Sequence, residues 1–294
     1  MMPVIGRQLL LIALWGAQKC VSEIPVPKKF LVIIPGFGGH PTREAYIRQS
    51  LQLYPADNWD CVLFVYNSNT HSGHQMARRK SNSSLPCEWI SSPGKFVDHL
   101  LHVRPEFVIR RKYKLIVVHV DDAVFMPPLE FSWEAIHHFM TTAAVDSVSP
   151  RVHQAGLVRL MNPLTNSSLL SAACPGLYPT GSCGWMGYEV PQVEIFVQVF
   201  LPLAWICFWD MLDAGVNNEG WGYDVCFKQV CNVSIALLDH WHVVHTRPNG
   251  SRTDGREAMV QMDQLFKNRE RGQDAGRNFF LQSCVRSKVD YTSY

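Results

Sequence analysis

Phe30 to Pro35 reads Phe-Leu-Val-Ile-Ile-Pro, a run without a single polar side chain, and it leads straight into Gly36, Gly38 and Gly39. A strand that is apolar at every position has to be covered on both faces, a demand that one-sided, alternating strands do not make. The stretch from Thr42 to Leu53 then mixes polar and apolar residues at helical spacing, and Cys61 to Tyr66 (Cys-Val-Leu-Phe-Val-Tyr) is a second apolar run. Strand, glycine turn, helix and strand make a βαβ unit. The pattern therefore predicts an α/β fold with a mostly parallel central sheet flanked by helices.

Later segments continue the same grammar. Tyr113 to Val120 reads as a third strand and is ended at once by Asp121 and Asp122. Val193 to Val199 reads as another, and Pro202 opens a helix carrying Trp205, Ile206, Phe208, Trp209 and Leu212. Glu194, Gln198 and Pro202 interrupt this apolar region, and from Ile195 to Trp209 it is too short to cross a bilayer. Ser234 to Leu238 is a last short strand, followed by Asp239, His240 and then Val243-Val244-His245. With 47% apolar and 18% charged residues in 294, and no linker or repeat dividing them, a single folded domain over 25–248 is expected. Beyond it, 249–294 reads as a helical extension, with Met259, Met262, Leu265 and Phe266 at packing-helix spacing.

The ends and the cysteines speak to compartment. Arg7, the apolar Leu9 to Trp15, and the small Gly16 and Ala17 make residues 1–19 a signal peptide or short signal-anchor, which leaves open a membrane association through this segment. Asn-x-Ser sequons occur at Asn82, Asn166, Asn232 and Asn249, and nine cysteines are present. An exported chain can carry glycans and disulfides, so the secretory lumen (endoplasmic reticulum or Golgi) or the exterior is expected. Cys174 and Cys183 bracket a loop they are able to close, although spacing does not fix connectivity, and free buried thiols are the alternative. Lys plus Arg total 27 against 25 Asp plus Glu, a balance that excludes the basic surplus of a nucleic-acid partner.

Few residues carry a chemical signature. Gly36-Phe37-Gly38-Gly39 resembles a phosphate-cradling loop but lacks the Walker lysine. As an esterase oxyanion loop it is incomplete too, since no Gly-x-Ser-x-Gly elbow exists. Adjacent carboxylates at Asp121 and Asp122 stand outside a strand's carboxyl end, where α/β sheets bind ligands; a solvated strand end explains them equally well. Asn217-Asn218-Glu219-Gly220-Trp221-Gly222-Tyr223-Asp224 is more pointed, because a carboxylate beside indole and phenol rings can hold sugar hydroxyls while the rings cover apolar faces. Asp224 is a candidate general base; the plainer reading makes it the cap of a helix over Val225 to Val230. His240, His242 and His245 lie close together, a minor pointer to zinc, whereas His137-His138 reads as a helix-surface pair.

Residues 193 to 245 resemble the C-terminal half of a domain-of-unknown-function family of plant and bacterial proteins regarded as glycosyltransferase-like, with a GT-A type nucleotide-sugar fold. The matching blocks are Val193 to Phe200, the Trp-rich helix through Asp210, Gly220 to Asp224, and Ala236 to His245. The resemblance implies transfer of a sugar from a nucleotide-sugar donor to a glycan or other hydroxyl acceptor. It implies that Asp121, Asp122 and His245 hold Mn²⁺ or Mg²⁺ on the donor diphosphate, and that Asp224 is the base. Glu194, Trp221, Tyr223 and Asp239 are the implied substrate-binding residues. Carboxylate oxygens suit such hard ions, which neutralise a departing diphosphate. The chain departs from the pattern in offering two adjacent acids and not an Asp-x-Asp triplet. A rival from another class is a catalytically inactive, glycan-binding relative that keeps the Trp221 platform.

Overall fold

The computed structural model describes residues 28–37, 41–66, 85–126, 132–154, 157–160, 169–173, 182–193, 195–220, 222–246 and the three residues 260, 261 and 264. The first half of the chain runs β1 (Phe30–Phe37), α1 (Pro41–Leu51), β2 (Trp59–Tyr66), β3 (Glu88–Ser92), α2 (Phe96–Leu101), α3 (Pro105–Arg111) and β4 (Leu115–His119); β1, α1, β2 and β4 stand in the expected order, and β3, α2 and α3 are additions between the second and third expected strands. All eight residues of β1 and all five of β4 are buried, as two-sided coverage requires. β1 lies between β2 and β4 and is parallel to both, and β3 adds to β2 in the same direction.

The second half holds the expected strand before Pro202, the helix that Pro202 opens and the last strand, but departs from expectation in its added elements and in strand direction. β5 (Ala123–Met126), α4 (Trp133–Thr142), β6 (Ser147–Gln154), β7 (Leu157–Leu160), β8 (Leu169–Ala173) and β9 (Ser182–Glu189) precede β10 (Val197–Phe200), α5 (Pro202–Met211), α6 (Tyr223–Cys231) and β11 (Ile235–His245). The strands form one sheet in the order β3-β2-β1-β4-β10-β6-β11-β9-β8, with β5 also on β11 and β7 on β6. β10 runs antiparallel to both β4 and β6, and β5 and β9 run antiparallel to β11. The sheet is therefore mixed and not mostly parallel. β10 is buried along its whole length, and burial on both faces produces an apolar run whichever way the strand points. Composition records coverage, not direction.

Two apolar layers sandwich this sheet. One packs α1 and α4 against β1, β4 and β11 through Ile47, Leu51, Trp133, Ile136, Phe139 and Trp241. The other packs α2, α3, α5 and α6 on the opposite face, where Phe200, Trp205, Phe208 and Phe227 meet in tilted and edge-to-face pairs with ring centroids 5.2–6.1 Å apart. Each such fully buried ring contributes roughly 1.5–3 kcal/mol. Cys61 is bonded to Cys87, tying β2 to the start of β3, and Cys207 to Cys231, tying α5 to α6. The Cys174 to Cys183 pairing, the N-terminal segment 1–19 and most of 249–294 lie outside the described residues, of which 260, 261 and 264 are helical. Among the described residues, no helix is long and apolar enough to cross a membrane.

Candidate functional site

Because β1 and β4 are parallel, Gly36 and the Asp121-Asp122 turn leave the sheet at one edge, the carboxyl edge of the parallel strands. β11 reaches the same place from the other side: its last residue, His245, is paired with Ala123 of β5. Thr246 clinches this junction, its backbone N–H and its hydroxyl both donating to the Asp122 carbonyl at 2.8 Å. His245 Nε2 consequently stands 3.4 Å from Asp122 Oδ2, with the Phe196 ring packed 4.2 Å from the imidazole. Its Nδ1 is buried without a hydrogen-bond partner among the described residues, so the tautomer with the proton on Nε2 avoids stranding a buried N–H.

Arg43, which carries no motif in the sequence, completes the cluster. It lies in the first turn of α1, whose N-terminus opens on the carboxyl edge, and Nη1 meets Asp121 Oδ1 at 2.6 Å while Nη2 lies 3.6 Å from Asp122 Oδ2. The side chains are little exposed, 16% for Arg43, 5% for Asp121 and 16% for Asp122, so solvent screens the pair weakly. One signal was available: a cation in the first turn opposes the helix dipole, and residues that break a local rule tend to serve a site.

His119 supports the acid turn from below. Its Nε2 donates to the Ala123 carbonyl at 2.9 Å and its Nδ1 accepts from the Tyr54 hydroxyl at 3.0 Å. Burial pushes the imidazole down to about 4 and the Tyr54 phenol well above its usual value, so both are neutral and the turn is held by uncharged bonds. The backbone closes it with Ala123 N–H to the Val120 carbonyl.

A second group of residues borders the same edge on the other helical layer. Gly36 N–H donates to Nδ1 of His99, whose buried ring is shifted to lower pKa by desolvation. Val97 N–H donates to the Asn218 carbonyl, placing the loop before α6 beside the start of α2. Lys95 pairs with Glu219, the Asn217 side chain accepts from Gly220 N–H at 3.0 Å, and Gln261 Oε1 accepts from the N–H groups of Asn218 and Glu219. Gly220 and Gly222 have φ of +91° and +88°, which only glycine adopts without strain, and a Cβ on Gly220 would sit 2.6 Å from the Phe96 ring. That turn presents Asp224, half-buried, at the N-terminus of α6.

The predicted residues thus divide. Asp121, Asp122 and His245 converge, and Asp224 lies on the same edge but in the opposite helical layer. Tyr223, an implied substrate-binding residue, has its ring fully buried and its hydroxyl engaged by the Asp213 backbone, which corrects that expectation, since a buried ring offers no face to a sugar. Glu194 and Trp221 lie outside the described residues, as does the side chain of Asp239, whose backbone falls in the register shift of β11 between Leu238 and His242. His242 bonds His153 of β6 at 2.8 Å, away from His245, and His137 and His138 are half-buried on α4.

A divalent ion needs several converging lone pairs and no competing cation. Among the described residues no group of three or more His, Cys, Asp or Glu side chains has that form. The guanidinium stands where the ion's charge would act. It is already paired with one oxygen of each carboxylate, Asp121 Oδ1 and Asp122 Oδ2, and its charge opposes the approach of an ion to them. Among the described residues, the donor set as it stands does not fit Mn²⁺ or Mg²⁺.

No protein-family profile matches the chain, and no curated protein does. Solved structures do. The chain is similar to GalNAc-T7 crystallised with UDP, GalNAc and Mn²⁺, with a TM-score of 0.54 and 9% identity over 83% of this chain and 48% of that one. It is similar as well to S. aureus TarS 1-349 in complex with UDP-GlcNAc, with a TM-score of 0.51 and 12% identity over 87% of this chain and 71% of TarS. The chain spans about half the GalNAc-T7 chain. At such identities the likeness shows the fold alone, and that fold is GT-A-like.

Proposed function

We propose that the protein is a glycosyltransferase, which binds a nucleotide-sugar donor on the carboxyl edge of β1 and β4 and passes the sugar to a hydroxyl of a glycan or other acceptor. The observation that carries this reading is the meeting of Arg43, Asp121, Asp122 and His245 outside the end of β4, in a fold shared with structures that hold UDP or UDP-GlcNAc. Ligands of α/β sheets bind at that edge. A departing diphosphate needs positive charge beside it, and Arg43 together with the N-terminus of α1 supplies it there. Asp224, on the same edge, takes the proton of the acceptor hydroxyl as general base. Glu194, Trp221 and Asp239 belong to this proposal as donor and acceptor contacts, on the strength of the family resemblance. The Cys61–Cys87 and Cys207–Cys231 disulfides suit an oxidising compartment and so support a lumenal or secreted protein, held to the membrane, if at all, through residues 1–19.

The test is calorimetric titration of the full chain with UDP and GDP, followed by assay of sugar release from the corresponding donors. Saturable nucleotide binding with donor turnover is expected. A protein that binds oligosaccharide and ignores both nucleotides is instead the glycan-binding relative, a reading favoured by one observation: the acid pair is already engaged by Arg43.

A further inference from the structure

A pair of adjacent carboxylates outside a parallel strand is where a divalent ion is expected in this fold, and the side chains here contradict that expectation. Arg43 enters from α1, 78 residues away in sequence, and lays one nitrogen on each carboxylate. Guanidinium is planar, permanently charged and rich in fixed donors, so it can bridge two carboxylates. The remaining neighbours reinforce the choice of a cation over a metal. His245 turns its Nε2 to Asp122, and its other nitrogen is buried without a partner among the described residues, so a lone pair aimed at the acids would require the proton to move into that dry position. His119 and Tyr54 hold the turn from below through hydrogen bonds, His119 to the Ala123 carbonyl and Tyr54 to His119. What faces the two carboxylates from α1 and from β11 is therefore one cation and one N–H donor.

We propose that Arg43 is the resident counter-ion of the Asp121-Asp122 turn, that it keeps divalent metal out, and that it provides in the metal's place the positive charge that meets the donor's diphosphate. The first part concerns the acid turn alone. The second rests on the nucleotide-sugar reading above. With two of its nitrogens on the carboxylates, the guanidinium occupies the position between acid and phosphate that a bridging ion fills elsewhere, and no bond is made or broken in its doing so.

The two parts are separated by measuring metal and nucleotide independently on the full chain. Titration of Mn²⁺ alone, followed by electron paramagnetic resonance of the free ion, is expected to show no binding to the wild type below millimolar concentration. Arg43→Gln and Arg43→Met, which remove the charge and leave the acids, are expected to bind Mn²⁺ at least tenfold more tightly, and adding Asp122→Asn to either is expected to abolish that gain. Submillimolar Mn²⁺ binding by the wild type overturns the inference whether or not the variants fold, and so does a folded Arg43 variant that gains none. For the nucleotide, UDP affinity of the wild type is expected to agree within about twofold in EDTA and in Mn²⁺, and to fall at least tenfold in EDTA for Arg43→Gln. Binding that requires Mn²⁺ overturns the proposal. Absence of UDP and GDP binding in both media refutes the nucleotide-sugar reading and the second part, while the Mn²⁺ titration still decides the first.

Discussion

At the β4 end of the carboxyl edge, the site is a knot of ionisable side chains: Arg43 from α1, Asp121 and Asp122 from the turn after β4, and His245 from the end of β11. At the α2 end, the loop before α6 is held mainly through its backbone, by Val97, the Asn217 side chain, Gln261 and two glycines of positive φ. The two ends fail in different ways. A charge knot is retuned by swapping one side chain and keeps its shape, whereas a backbone-held loop is indifferent to most side chains and intolerant of an added Cβ.

That contrast can be broken most severely at Asp224. If the loop exists to present this carboxylate, Asp224→Asn should lower turnover by roughly 10²–10⁴-fold while the Kd for UDP is unchanged. Unaltered turnover would assign the residue to helix capping and leave the knot as the whole of the site.

The support beneath the knot answers to acid. The folded chain keeps His119 neutral down to about pH 4, whereas an unfolded chain protonates it near the ordinary value of about 6.5. The unfolded state therefore binds the extra proton first, and stability is full above about pH 6.5 and falls as pH is lowered towards 4, by ~3 kcal/mol in all. Urea titrations across that window measure the slope. If His119→Gln shows the same slope, another group is responsible.

On the loop side, Gly220→Ala should cost roughly 2–3 kcal/mol, the left-handed backbone and the Phe96 contact each adding to it. Thermal unfolding of the purified variant is the measurement, and a melting point equal to wild type would show that the loop yields easily. The smallest effect is expected at Lys95. Its pair with Glu219 is partly exposed, and Lys95→Ala should change stability by no more than about 1 kcal/mol, weakening further in salt. A larger loss would mean that the loop depends on this charge as the knot does on Arg43.

How far the sequence could be read follows from where each contact comes from. β1, β2 and β4 were legible because strands covered on both faces are apolar throughout, and α1, α5 and α6 because their starts carry proline, glycine or spaced apolar residues. β6 was not. It reads Ser-Val-Ser-Pro-Arg-Val-His-Gln, and its buried Ser147 and Ser149 are satisfied by the carbonyls of Val199 and Val197 on β10, partners found only across the sheet. β11 looked like two pieces because a register shift between Leu238 and His242 interrupts one strand. In the site, the acids and His245 stood out as polar residues closing apolar runs, whereas Tyr223 was misjudged and Arg43 passed over. An aromatic ring is as suited to a core as to a sugar, and an arginine on an otherwise polar helix surface carries no mark of what it touches.

The order of residues along the chain was enough to establish an α/β sheet with acids at a strand end, because burial on two faces dictates composition locally, within each segment. Strand direction in the β10 region, the placing of Tyr223 and the pairing of Arg43 with two carboxylates were settled by folding, since each depends on which distant segment arrives alongside. Short-range rules govern what a segment can bury, and only the assembled sheet brings a guanidinium to the carboxylates it pairs with.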